Sequence, residues 1–462
     1  MPIMTEATAI GRSPSGRIAP GPEGYPLLGS LPNMWGDPLP FLLKSTLEHG
    51  DIVRLRFGPK AAHVLTRPEH IKYVLQDNQK NFSKDTRGFI TLRSFLGMGL
   101  LTSDGDTWLR QRRIAQPAFH RQKIAALGAS MVRSAEAAAE GWGQHVRSGR
   151  AIDVAAEMMK LTLRIAGETL LSTDVSREAE TVGRALTVML REARRRIVAA
   201  YSLPLSLPTR RNRQLNAAMS ALDALVYRMI NERRRSGGGP EDLLAMLLNA
   251  RDADTGEAMN DKQLRDEVLT IFVAGHETTA NALAWTFYLL SKFPAAARKI
   301  RAELAEVLGG RSPSEGDLPR LKYTSMVLDE SMRLYPPAWM FTRAARQDDE
   351  IGGYFIPKGS FLFLSPYLVH RKPSLWEDPE GFDPERFAPE RAASIPRFAY
   401  FPFGGGPRQC IGNTFALMES VLLLAVFLQK YRLDLVPGHP VELEPLVTLR
   451  PKHGVMMTIH AA

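Results

Sequence analysis

Side-chain alternation marks the first regular elements. "DIVRLRFG", Asp51 to Gly58, alternates polar and apolar and predicts a strand. "HVLTRPEHIKYVL" continues as a second strand and turns into a helix near Pro68. From Trp108 to about Gly238 the apolar positions recur at helical spacing. "RRRSGGGPEDLLAMLL" reads as an exposed loop between two such helices. "NDKQLRDEVLTIFVAGHETTANALAWTFYLLSKFP" predicts one long apolar helix. Asn260 and Gln263 offer a capping box at its start, and Pro294 marks its end. Pro336-Pro337 stops a later helix. "YFIPKGSFLFLSPYLVH" reads as strands joined by a turn at Lys358-Gly359. "IGNTFALMESVLLLAVFLQKY" predicts an amphipathic helix near the C-terminus.

Composition narrows the class without naming a chemistry. The 462 residues are 44% hydrophobic and 23% charged, as in a globular enzyme. No run of about 18 apolar residues predicts a membrane-spanning helix, and no secretory leader is visible at the start. A single cysteine excludes an internal disulfide and a multi-cysteine cluster, which fits a reducing, cytoplasmic compartment. Net charge is +10, but no helix-turn-helix or zinc-finger spacing accompanies it, so nucleic acid is not an expected partner. Residues 1–20 read as a loose tail that becomes ordered around Tyr25 to Leu28. Residues 21–462 read as one mainly α unit with small β-sheets.

The lone Cys410 lies in "FPFGGGPRQCIG". An isolated cysteine is commonly a small buried hydrophobe. Here Gly404, Gly405 and Gly406 remove side chains where a flat, bulky group could approach, and a helix begins at Ile411. A helix N-terminus favours a thiolate. A thiolate can be a nucleophile or a metal ligand. "FGGGPRQCIG" resembles the haem-binding loop of the cytochrome P-450 superfamily, Phe-x-x-Gly-x-Arg-x-Cys-x-Gly, at every fixed position. The resemblance implies a haem-thiolate monooxygenase carrying haem b on Cys410. It implies a fold in which the haem lies between a long central helix and the cysteine-bearing helix.

Further motifs follow in the family's order. "ESMR" sets Glu330 and Arg333 on one helix face, and "DPERF" offers Arg386; by resemblance the three form a folding network. "WLRQR" sets Trp108 and Arg112 one turn apart, and the resemblance places both at a haem propionate, with Arg343 and Arg408. It also places Ala274, Phe403 and Gly412 against the cofactor. In "AGHETT", His276-Glu277 lacks the second histidine of a zinc protease, since position 280 is Ala. The stretch resembles the oxygen-activation motif, with Glu277 as acid and Thr278 as alcohol. O–O cleavage needs protons delivered in a dry pocket, which such a pair can supply.

The reaction implied is insertion of one oxygen atom of O2 into a lipophilic substrate. Electrons would come from a ferredoxin or flavodoxin with its NAD(P)H reductase, docking on a basic face of Arg110, Arg113, Arg408 and Lys430. A peroxide-driven peroxygenase and a haem-binding sensor or carrier are the alternatives; retention of Glu277 and Thr278 argues against both. By resemblance the pocket is lined by Phe89 to Leu101, Leu190 to Pro208, Ile271 to Ala274, Ala338 to Phe341 and Leu446 to Val447. Charges at Arg191 to Arg196 read as a solvated helix face. Fatty acids or other lipids, terpenoids, steroids and macrolide-like compounds all fit, with a tilt to fatty acids. A monomer is expected.

Overall fold

The alternating strand pairs as its pattern demands. In this computed structural model, which describes residues 16–173, 179–199, 201–235, 242–251 and 256–462, Ile52–Phe57 runs antiparallel to Lys60–Leu65. Lys60–Leu65 then runs parallel to Phe361–Leu364, which pairs antiparallel with Phe341–Ala345. Phe82–Ser83 completes this five-stranded sheet. The expected turn at Lys358-Gly359 joins two strands, and each belongs to a different sheet. Tyr354–Ile356 pairs with Asp349–Ile351, while Phe361–Leu364 enters the large sheet. Gly359 at φ +79° turns the chain from one sheet to the other.

Helices make up the rest. The central helix runs over Asp261–Lys292 and opens with the expected capping box of Asn260 and Gln263. Its 32 residues span roughly 48 Å, long enough to cross the whole molecule. Twenty-three of them are buried, so it is a core element lined by protein on most sides. The helix Asn413–Lys430 is likewise buried over most of its surface rather than amphipathic. It is long and apolar enough to cross a membrane, but 67% of it is buried inside the protein. Helix Leu243–Asn249 occupies part of the expected exposed loop and buries Leu243, Leu244 and Leu247; residues 236–241 lie outside the described residues.

Order reaches further toward the N-terminus than composition implied. The Arg17 N–H donates to Gly353 O at 3.2 Å, the Phe355 N–H donates to Arg17 O at 2.8 Å, and Ala19 is buried. A backbone that finds a strand edge needs no apolar run to be held. Residues 1–15 of the expected tail lie outside the described residues.

Candidate active site

Cys410 lies between the short turn Gly406–Arg408 and the helix Asn413–Lys430. The first helical residue is Asn413, so the cysteine precedes the helix by three residues rather than opening it. Its backbone N–H donates to Phe403 O at 3.0 Å. The side chain is accessible, yet protein atoms enclose it, as befits a group that faces an internal space. Burial pushes the thiol pKa up, against the opposing pull of the Gly412 N–H and the Arg112 charge. The expected lowering by a helix terminus is therefore not what the protein supplies by itself; a bound cation would supply it.

The glycines before it have a different cause from the one read in the sequence. A Cβ at Gly405 would lie 2.2 Å from the Phe398 ring, and one at Gly406 would lie 2.0 Å from Leu75 O. Gly404 adopts φ +70°. The loop is thus packed against its own protein, and the sulfur is left as the group presented outward.

The cations converge on one region. The Arg408 guanidinium lies 3.8 Å from the centre of the Trp108 ring, a cation–π contact. It also pairs with Asp104 and donates to Ser103 O at 3.0 Å. Arg112 donates to Gln409 O at 3.0 Å, beside Cys410. Arg343 is buried, donates to Thr342 O at 2.8 Å, and has its pKa pushed down to about 10 by burial and by Arg408. Lys84, which the sequence did not single out, is buried among the same charges and donates to Leu101 O at 2.6 Å. Burial and the neighbouring arginines hold its pKa well below the usual lysine range. Lys84, Arg343, Arg346 and Arg408 surround one carboxylate, Asp104. Buried cations in excess call for further anions. The two propionates of haem b would meet that need, and the accessible sulfur would be free to hold its iron. The residues fit the group. Only packing reveals Lys84, because a lysine after a short strand carries no sequence signal of burial.

On the central helix, Ala274 is exposed in the midst of buried neighbours, with Gly275 and Thr278 partly accessible on the same side. The Thr278 hydroxyl donates to Ala274 O at 2.9 Å. Glu277 does not meet it. Its carboxylate is fully buried and accepts from the Thr448 hydroxyl at 2.5 Å. Burial raises its pKa, opposed by Thr448 and by the charge of Arg450.

Four of the expected pocket segments contribute to one apolar cluster, through Leu92 and Phe95, Ala193, Ile271 to Val273, and Val447 packed against it. The fifth joins through Trp339, whose Nε1 donates to Leu446 O at 3.0 Å. Arg191 is exposed as a solvated face requires, but Arg194 and Arg196 of the same stretch are not. Arg194 donates to Gly36 O and Pro445 O, while Arg196 is buried and holds Leu203 O and Asn212. The basic docking face also fails as drawn. Arg408 is committed inside, and Lys430 ends a helix of 18 residues, roughly 27 Å from the end nearest Cys410.

Glu330 and Arg333 are fully buried and pair at 2.6 Å and 2.8 Å. Arg386 joins at 3.3 Å. The three residues sit together as the resemblance implied.

Comparison with known proteins agrees. The family model described as "Cytochrome P450" matches residues 19–458. The chain is 40% identical to a cyclooctatin synthase of Streptomyces melanosporofaciens, over 94% of this chain and 93% of that protein. It is 40% identical to a cyclooctat-9-en-7-ol 5-monooxygenase of the same organism, over 90% of each. It is 35% identical to a pentalenene oxygenase of Streptomyces avermitilis, over 93% of this chain and 94% of that protein. Matched from residue 19 almost to its end, the chain belongs to the cytochrome P450 family and is a haem b monooxygenase.

Proposed function

We propose that this monooxygenase oxidises a terpenoid, with Cys410 as the haem ligand and Thr278 and Glu277 governing proton supply. The observation that carries the substrate reading is the identity with relatives named for cyclooctatin, cyclooctat-9-en-7-ol and pentalenene. The apolar cluster shared by the expected pocket segments supports it. This moves the reading from fatty acids to terpenoids. A panel of terpene hydrocarbons, terpene alcohols and fatty acids tests it through the spectral change on displacing the iron's water ligand. Terpenoids are expected to saturate the change at the lowest concentrations; tighter response to fatty acids overturns the assignment.

Haem b, when bound, supplies the redox and O2 chemistry. The protein's own residues hold and meter. Trp108, Arg112, Arg343, Arg408 and Lys84 would bind the propionates, with Ala274, Phe403 and Gly412 against the ring. The Thr278 hydroxyl, on the accessible side of the central helix, would release a proton into the space beside Ala274. Glu277, whose proton is held more tightly because of burial, would resupply it through a shift of the Thr448 contact. Thr278→Ala is expected to cut product formed per reducing equivalent by about tenfold or more while peroxide accumulates. Unchanged product yield would defeat the relay, and unchanged peroxide-driven turnover without reductant would favour the peroxygenase reading.

Electrons would reach the haem from a separate ferredoxin or flavodoxin with its NAD(P)H reductase. A reducing, cytoplasmic setting fits the single cysteine. Reconstitution with each purified donor distinguishes the two electron sources.

A further inference from the structure

The Glu330–Arg333 network and the cysteine loop are separate stretches of chain, and His370 stands between them. Its ring is fully buried at the end of the short helical turn Pro366–Val369. Nδ1 lies 3.2 Å from the Arg333 carbonyl oxygen. Nε2 lies 3.1 Å from the Phe401 backbone nitrogen. In return, the His370 carbonyl accepts from Arg333 Nη1 at 2.8 Å.

These partners allow one protonation state. A carbonyl oxygen only accepts, so Nδ1 carries the proton. A backbone N–H only donates, so Nε2 is bare. The neutral ring with its proton on Nδ1 satisfies both. Burial, then the charge of Arg333, pushes the ring's pKa down to about 3, so it stays neutral in use. Tyr400, Phe401 and Trp376 pack round the ring with centroids 5.1, 5.6 and 6.3 Å away, which fixes its plane.

The contact leads to the sulfur in short steps. Phe401 O accepts from the Gly404 N–H at 2.9 Å, and Phe403 O accepts from the Cys410 N–H at 3.0 Å. Phe401 is itself buried, so without Nε2 its N–H would be an unsatisfied donor in the core.

We propose that His370 is a positioning residue for the thiolate: its bare Nε2 anchors the Phe401 amide and so fixes where the loop presents the Cys410 sulfur. This rests on reading Cys410 as the haem ligand. His370 touches neither substrate nor haem in this account and acts only through the loop.

Two substitutions separate its bonds. In His370→Gln the side-chain oxygen reaches the place of Nε2 and can still accept from Phe401. In His370→Asn the amide reaches only the place of Nδ1 and keeps Arg333 alone. Each full-length holoenzyme is reduced, treated with carbon monoxide, and followed as the thiolate-type band converts to the thiol-type band under mild denaturant. The haem reduction potential is measured alongside. His370→Asn is expected to convert about tenfold faster than the wild type, the effect of losing about 1.4 kcal/mol, with a shifted potential. His370→Gln is expected to stay within about threefold, a rescue that mere space-filling would not produce. Equal behaviour of the two variants, or the better performance of Asn, overturns the proposal. If neither variant takes up haem, amide hydrogen exchange in the wild-type holoenzyme decides: slow exchange at Phe401 supports the anchor and fast exchange overturns it. A wild type with no thiolate band would overturn the Cys410 reading itself, so the two failures are distinct.

Discussion

Cys410→Ser is expected to abolish the thiolate-type band of the reduced, carbon-monoxide-bound protein and to bring oxygenation below detection. The reason lies in the setting of the sulfur. The surroundings push the thiol pKa up by burial, and only a metal cation at the sulfur reverses that balance. A serine hydroxyl in the same place is a far harder group to deprotonate and a poorer electron donor. The electron density that a thiolate lends to O–O cleavage is then lost. Overall folding should survive, because the loop is held by Phe398, Leu75 and the Phe403 carbonyl rather than by the sulfur. Circular dichroism and haem content monitor that. A serine variant that kept the thiolate-type band would end the assignment.

The second large effect is on stability. Arg333→Ala is expected to destabilise the fold by about 3–5 kcal/mol and to prevent haem retention. Arg333 uses its whole donor set. It bonds both oxygens of Glu330 and the carbonyls of His370, Pro379 and Gly381. Removing it strands the Glu330 carboxylate, fully buried, with Arg386 at 3.3 Å as a weaker partner. It also leaves three carbonyls short of a donor. Arg333→Lys should recover little, since a single ammonium cannot reach that planar spread of acceptors. Denaturant unfolding of the variant within about 1 kcal/mol of the wild type would refute this account.

Short-range order was open to reading in the chain itself. The strand at Ile52–Phe57, the capping box at Asn260 and the stop at Pro336 depend on neighbours a few residues away. So does the placing of Cys410 just before a helix. Motif spacing could also name Glu330, Arg333 and Arg386, because their chemistry is tied to fixed offsets. The glycines before Cys410 were seen, but their cause was not. Phe398 and Leu75 fill the space a side chain would need, and nothing near position 405 announces them.

The same limit governs the site. Lys84 and Asp104 join the arginine cluster from loops with no distinguishing pattern. Glu277 turns to Thr448, 171 positions away, instead of toward Thr278 beside it, because successive helical residues face directions about 100° apart. Arg194 and Arg196 look like surface charge on a helical wheel until the segments carrying Pro445 and Leu203 cover them.

By itself, then, the sequence determined the family, the sulfur proposed as the haem ligand and the local elements, since these follow from residue type and spacing along the chain. Tertiary structure alone decided which charges are buried together, which way the acid points and what holds the cysteine loop. Those are set by groups hundreds of residues apart that meet only when the core closes and water is excluded, and burial then fixes both their pairing and their protonation.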